Sequence, residues 1–211
     1  MHKLLYIHGM GGGADSRIPS ILSEELGRYG VEVYVRTYDF DPEIASEQIN
    51  QWMDEFRPSL VVGESLGALH ALRLRNVPHL FVSPALNASI YFQVLSYLTY
   101  IPGVTSLFDR IYKPREGDRQ VLHFTPRVLR KYKRHRRVAV DGAASAVGDE
   151  LFFAFFGSRD HYRKSGVVSV RTWKKYFGNS FTTYEGTHFM EDEFVRGMLL
   201  DKVLEILDIN I

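Results

Sequence analysis

The chain has 211 residues, 45% of them hydrophobic, which suits one large domain over 1–211 with a continuous core. Lysine and arginine number 26 against 25 acids, for a net charge of +1, so the overall balance excludes a general preference for nucleic acid or an anionic membrane and leaves such binding to local segments. The absence of cysteine excludes disulfides, thiolate zinc sites and a cysteine nucleophile.

Residues 3–7 read as a short buried strand running into HGMGGG at 8–13. After Lys3 only Leu4 to Ile7 are apolar before His8, far short of the roughly 7–15-residue core of a secretion signal, and this points to a cytoplasmic protein. Further strands are expected at 31–38, 59–63, 79–83, 151–156 and 180–184, and helices at 17–29, 43–56, 66–75, 167–177 and 191–208. In the last helix Phe194, Val195, Met198, Leu199, Val203 and Leu207 recur at helical spacing, and Glu191, Asp192 and Glu193 suit its positive N-terminal end. The alternation implies an α/β fold: a three-layer α/β/α sandwich around a mostly parallel six-stranded sheet, whose near-continuous apolar strands require helices on both faces.

The interval 84–150 is longer than a crossover needs, and residues 86–148 are read as a helical cap inserted in the same domain. Residues 76–108 carry no Asp, Glu, Lys or Arg, but Pro78, Pro84, Asn87, Ser89, Gln93 and Pro102 interrupt them, so no membrane span is expected there. The second half of the insertion holds seven Arg or Lys residues between 127 and 137, either the solvated face of a cap helix or an attraction for an anionic substrate such as an acyl-CoA thioester.

The glycine loop after the first strand has two physical readings. Gly9, Gly11 and Ala14, with Asp39 after the next strand, satisfy a relaxed dinucleotide-binding pattern; equally, bare amides there can face a reacting carbonyl oxygen. VVGESLGALHAL at 61–72 decides between them. Gly63, Ser65 and Gly67 form G-x-S-x-G between a strand and a helix, where a tight turn exposes the Ser65 hydroxyl above the sheet edge.

A serine hydroxyl needs a base, and the base needs an orienting acid. His188, between the last strand and the last helix, reaches the same rim, whereas His8 is read as shaping the glycine loop. The other histidines show no metal-ligand spacing, and surface or packing roles are expected for most of them. Asp160, four residues past the strand LFFAFF, is the acid; Asp149 precedes that strand, and Asp39 and Asp41 follow the second one, as weaker rivals. The chain order is then Ser65, Asp160, His188. The amides of Met10 and Leu66 supply an oxyanion hole, and the phosphate reading fails because it leaves Ser65 and His188 without a role.

HGMGGG, GESLG, SPALN, GSRD and GTH together resemble the α/β-hydrolase superfamily, and in compactness its small bacterial YqiA-type esterases. The resemblance covers 3–85 and 151–208, but not the longer, more basic insertion. It implies a serine hydrolase acting on carboxylic esters without cofactor, but not its substrate range; the expected partner is a small-molecule acyl substrate, and no metal is expected. A thioesterase or amidase with the same triad, or a binding protein that keeps the fold without turnover, are the alternatives.

Overall fold

The computed structural model describes residues 2–113 and 116–209; Pro114 and Arg115 of the expected cap lie outside the described residues. Six strands, β1 (His2–Ile7), β2 (Val31–Val35), β3 (Leu60–Glu64), β4 (His79–Val82), β5 (Phe152–Gly157) and β6 (Phe181–Tyr184), form one sheet in the order β2-β1-β3-β4-β5-β6, every pair parallel.

Alternate residues of each strand feed opposite cores. Leu5, Ile7, Val61, Phe81 and Phe156 pack on one face with Ile49 and Trp52 of α2 (Pro42–Phe56), Leu69 of α3 (Gly67–Ala71) and Trp173 of α8 (Val170–Phe177). Leu4, Tyr6, Val62, Leu80 and Phe155 pack on the other with Leu22 of α1 (Arg17–Leu26) and Val203 of α10 (Leu200–Ile206). Burial on both faces explains why the strands read as apolar runs.

The helices start where capping chemistry permits. The Asp41 carboxylate accepts from the Glu43 amide (3.0 Å) ahead of Pro42, and the Ser169 hydroxyl accepts from the Thr172 amide (3.1 Å). The expected helix at 66–75 is confined to Gly67–Ala71, because Arg73 and Leu74 close tight turns before Asn76, which adopts a left-handed φ of 62°. The strand expected over 31–38 leaves the sheet at Val35, since Thr37 and Tyr38 bond elsewhere. The last helix is divided into α9 (Asp192–Phe194), a π-helical turn (Val195–Leu199) and α10; the widened turn keeps Val195, Leu199 and Val203, spaced by four, on the buried side.

Between β4 and β5 the chain forms α4 (Ala88–Leu98), α5 (Val104–Ile111) and α6 (Pro126–Ala144). The α6 helix packs against α2, α3, α4 and α8 through Leu129, Tyr132, His135, Ala139 and Ala143. Among the described residues no helix is long and apolar enough to cross a membrane, and the uncharged stretch 76–108 is divided between β4, α4, the start of α5 and their loops. After β1 the chain passes outward to β2, whereas after β3 it proceeds toward β4, so the crevice between the C-terminal ends of β1 and β3 is the switch point of the sheet.

Candidate active site

Ser65 occupies the turn between β3 and α3 with a φ of +49°, a left-handed conformation that costs a non-glycine residue about 1–2 kcal/mol. The turn is held on both sides: the Ser65 amide donates to the Val82 carbonyl (2.9 Å), and the Ser65 carbonyl accepts from the Ala85 amide (3.0 Å). Residue 67 must be glycine for this packing, since a Cβ there would lie 2.3 Å from the Ile7 carbonyl oxygen and 2.4 Å from that of His8.

The three sequence candidates meet. His188 Nε2 lies 2.8 Å from Ser65 Oγ, and His188 Nδ1 lies 2.8 Å from Asp160 Oδ2. A carboxylate only accepts, so Nδ1 carries the proton and Nε2 is free to accept from the serine hydroxyl. The second Asp160 oxygen accepts from the Tyr162 amide (2.8 Å) at the start of α7 (His161–Ser165), so both oxygens of this buried carboxylate are bonded. The Tyr162 ring stands edge-on to the imidazole, 4.6 Å between centroids.

Close approach of two loops creates this geometry. The Ser158 amide donates to the Tyr184 carbonyl and the Arg159 amide to that of Gly186, drawing the β5 and β6 loops together. At Gly157 a Cβ would lie 2.4 Å from each of the Gly186 and Thr187 carbonyl oxygens, so any side chain there would push Asp160 and His188 apart.

The glycine loop lies across the crevice from Ser65; a Cβ on Gly9 would sit 3.1 Å from that of Ser65. His8 is buried, stacked on Tyr38 at 4.3 Å, and its Nδ1 donates to the Gly9 carbonyl (2.8 Å), which also accepts from the Gly12 amide (3.0 Å). Burial lowers the His8 pKa to about 4, leaving the ring neutral at pH 7. The loop-shaping role expected of His8 is therefore observed. Among the described residues, the Met10 and Leu66 amides donate to no protein acceptor, whereas the neighbouring Gly11 amide bonds to Gln120 Oε1 (3.0 Å).

The rival acids are occupied elsewhere. Asp149 is exposed in the turn before β5; Asp39 accepts from the Asp41 amide (2.7 Å); Asp41 caps α2 and pairs with Lys131 (2.6 Å). Among the described residues no group of three His, Asp or Glu side chains could hold a metal ion. The sequence reading did not identify Tyr162 or Gln120; Gln120 lies in a stretch without helical or strand periodicity, so nothing local marked it.

The sheet order, the helices on both faces and the serine-bearing turn after β3 define an α/β-hydrolase fold. Solved structures share it at low identity. Est1E from Butyrivibrio proteoclasticus, with ferulic acid bound, is 17% identical, covers 99% of this chain and 90% of its own, and gives a TM-score of 0.64. The Arabidopsis methylesterase MES16 is 12% identical, with 99% of each chain covered and a TM-score of 0.60. The bottromycin epimerase BotH, in complex with bottromycin A2, is 11% identical, with 98% and 90% covered and a TM-score of 0.55. No family model matches the chain, and neither does any curated protein. An epimerase beside a methylesterase demonstrates that the fold by itself does not define the reaction.

Proposed function

We propose that the chain is a serine hydrolase of carboxylic esters, with Ser65 as nucleophile, His188 as general base and then acid, and Asp160 fixing the imidazole tautomer. The observation that carries this reading is the unbroken run of two 2.8 Å contacts from Asp160 through His188 to Ser65. Ser65 Oγ attacks the ester carbonyl while its proton passes to His188 Nε2. The tetrahedral oxyanion takes the unclaimed amides of Met10 and Leu66, each worth about 2.7–4 kcal/mol of barrier. Collapse expels the alcohol, which leaves with the proton from Nε2; water then attacks the acyl-serine, returns a proton to Nε2, and the acid departs as Oγ regains its hydrogen.

Residues 86–148 serve as the cap over this small-molecule acyl site, and no step calls for a cofactor or metal. The compact, esterase-like motif set and the methylesterase among the similar structures support an ester substrate. A fluorophosphonate probe tests the assignment: wild type takes the label and hydrolyses a p-nitrophenyl ester, and Ser65→Ala loses both with an unchanged circular dichroism spectrum. A folded wild type that neither labels nor turns over esters overturns the reading. Parallel assays with an acyl-CoA thioester and an acyl anilide rank the leaving groups.

A further inference from the structure

The outer faces of α4 and α5 form an exposed apolar surface that a role as cap does not by itself explain. The α4 helix packs on α6 through Phe92 and Ser96 but turns Ile90, Val94 and Tyr97 outward, with Val94 63% and Tyr97 68% exposed. Every residue of α5 retains some exposure; Phe108 packs inward on Phe124 (5.4 Å), whereas Leu107 and Ile111 are more than half exposed. Tyr100, 60% exposed, joins the two helices. An uncovered apolar surface of this kind, built on two amphipathic helices, marks an interaction site.

Charge distinguishes the possible occupants. The α6 helix carries no acid before Asp141, and Arg127, Arg130, Arg134 and Arg137 lie along its exposed side. The Arg130 guanidinium lies over the rings of Tyr97 (5.5 Å) and Tyr100 (5.0 Å), so the basic stripe borders the apolar surface directly. A second copy seated face to face would bring two such stripes to one desolvated rim, where like charges repel. A bilayer with anionic headgroups offers both an apolar interior and the opposite charge, and tyrosine suits the boundary between them.

The surface also leads to the site. Tyr112, at the end of α5, packs on Phe124 at 5.0 Å, and Leu122 lies within van der Waals distance of a Cβ on Gly11. We propose that the α4–α5 face, flanked by the arginines of α6, docks the protein on an anionic lipid surface. The docking needs no turnover, so it stands or falls separately from the hydrolase assignment.

Cosedimentation of the full chain with phosphatidylcholine vesicles, and with phosphatidylcholine vesicles containing phosphatidylglycerol, tests this. Wild type binds the anionic vesicles more tightly, and added salt weakens the binding. Removing three apolar side chains in Ile90→Ser/Val94→Ser/Tyr97→Ser lowers affinity about tenfold or more. Arg127→Gln/Arg134→Gln lowers it about fivefold per arginine and reduces the salt dependence. Circular dichroism verifies that both variants remain folded. No binding by folded wild type, equal binding to neutral vesicles, or a dimer dispersed by the triple substitution without vesicle binding overturns the proposal.

Discussion

Asp160 does two jobs with one side chain: it closes the α7 turn through the Tyr162 amide and bonds His188 Nδ1. Replacement by asparagine retains the shape but offers an amide donor or a weaker acceptor to Nδ1, so the imidazole loses the preference that leaves Nε2 free to accept from Ser65. Asp160→Asn is expected to lower kcat for a p-nitrophenyl ester by about 10⁴-fold with little change in KM. Asp149→Asn, at an exposed turn that bonds neither His188 nor Ser65, is expected to leave kcat unaltered. Steady-state kinetics on the two variants decide the assignment, and loss of turnover in Asp149→Asn alone counts against it. These three residues were legible because each stands beside a strand end with its own local signal: glycines around Ser65, GSRD after β5 and GTH after β6. The partners that hold them were less so. The need for glycine at 157 comes from the carbonyls of Gly186 and Thr187, a contact between segments that local patterning does not record.

At the scale of elements, the strands were legible to within a residue or two, except for the end of β2, because burial on both faces writes an apolar run into the sequence. Residues 118–122 were not, since their structure comes from what they touch. The Asp118 carbonyl accepts from the Thr37 hydroxyl (3.2 Å), and the Gln120 amide donates to the Gly12 carbonyl (2.7 Å). A Cβ on Gly13 would fall 1.6 Å from the Asp118 carbonyl oxygen, so this strap is fitted against the glycine loop itself. Gln120 is buried, with Oε1 accepting from Gly11 and Nε2 donating to the carbonyls of Tyr38 (3.2 Å) and Asp39 (3.4 Å). Gln120→Ala strands the Gly11 amide and those carbonyls, which costs about 1–3 kcal/mol in urea unfolding and loosens the loop that presents Met10. The expected kinetic signature is a fall in kcat larger than the rise in KM. Gln120→Glu retains an acceptor for Gly11 but sets a carboxylate against two carbonyl oxygens, and is expected to be no more stable than the alanine variant; wild-type stability and kcat in both would refute the strap's role.

Over the whole molecule the core carries an acid-sensitive load. His8, His70, His79 and His135 are all buried, and three of them share one cluster: His8 stacks on Tyr38, Tyr38 meets His70 at 5.0 Å, and His70 meets His135 at 4.6 Å. Burial, aided by neighbouring cations, lowers the pKa of His8 to about 4, those of His79 and His135 to about 3, and that of His70 well below its ordinary value of 6.5. Above pH 6.5 these rings are neutral in the folded and unfolded chains alike, so they add no pH dependence there. Below it the unfolded chain takes up protons that the folded chain refuses, and stability falls with pH by up to about 1.4 kcal/mol per unit for each histidine, until its folded pKa is reached, about 4 for His8 and about 3 for His79 and His135. His79 isolates one share of this slope, because it stacks between Phe81 (5.9 Å) and Phe152 (5.0 Å), a place that a phenyl ring can fill. Urea unfolding of wild type is expected to be level from pH 8 to 7 and to weaken steadily from pH 6 to 4, with His79→Phe losing about one proton's worth of that slope. A stability level down to pH 5 in the wild type, or an identical slope in the variant, would show that these imidazoles do not bear the load.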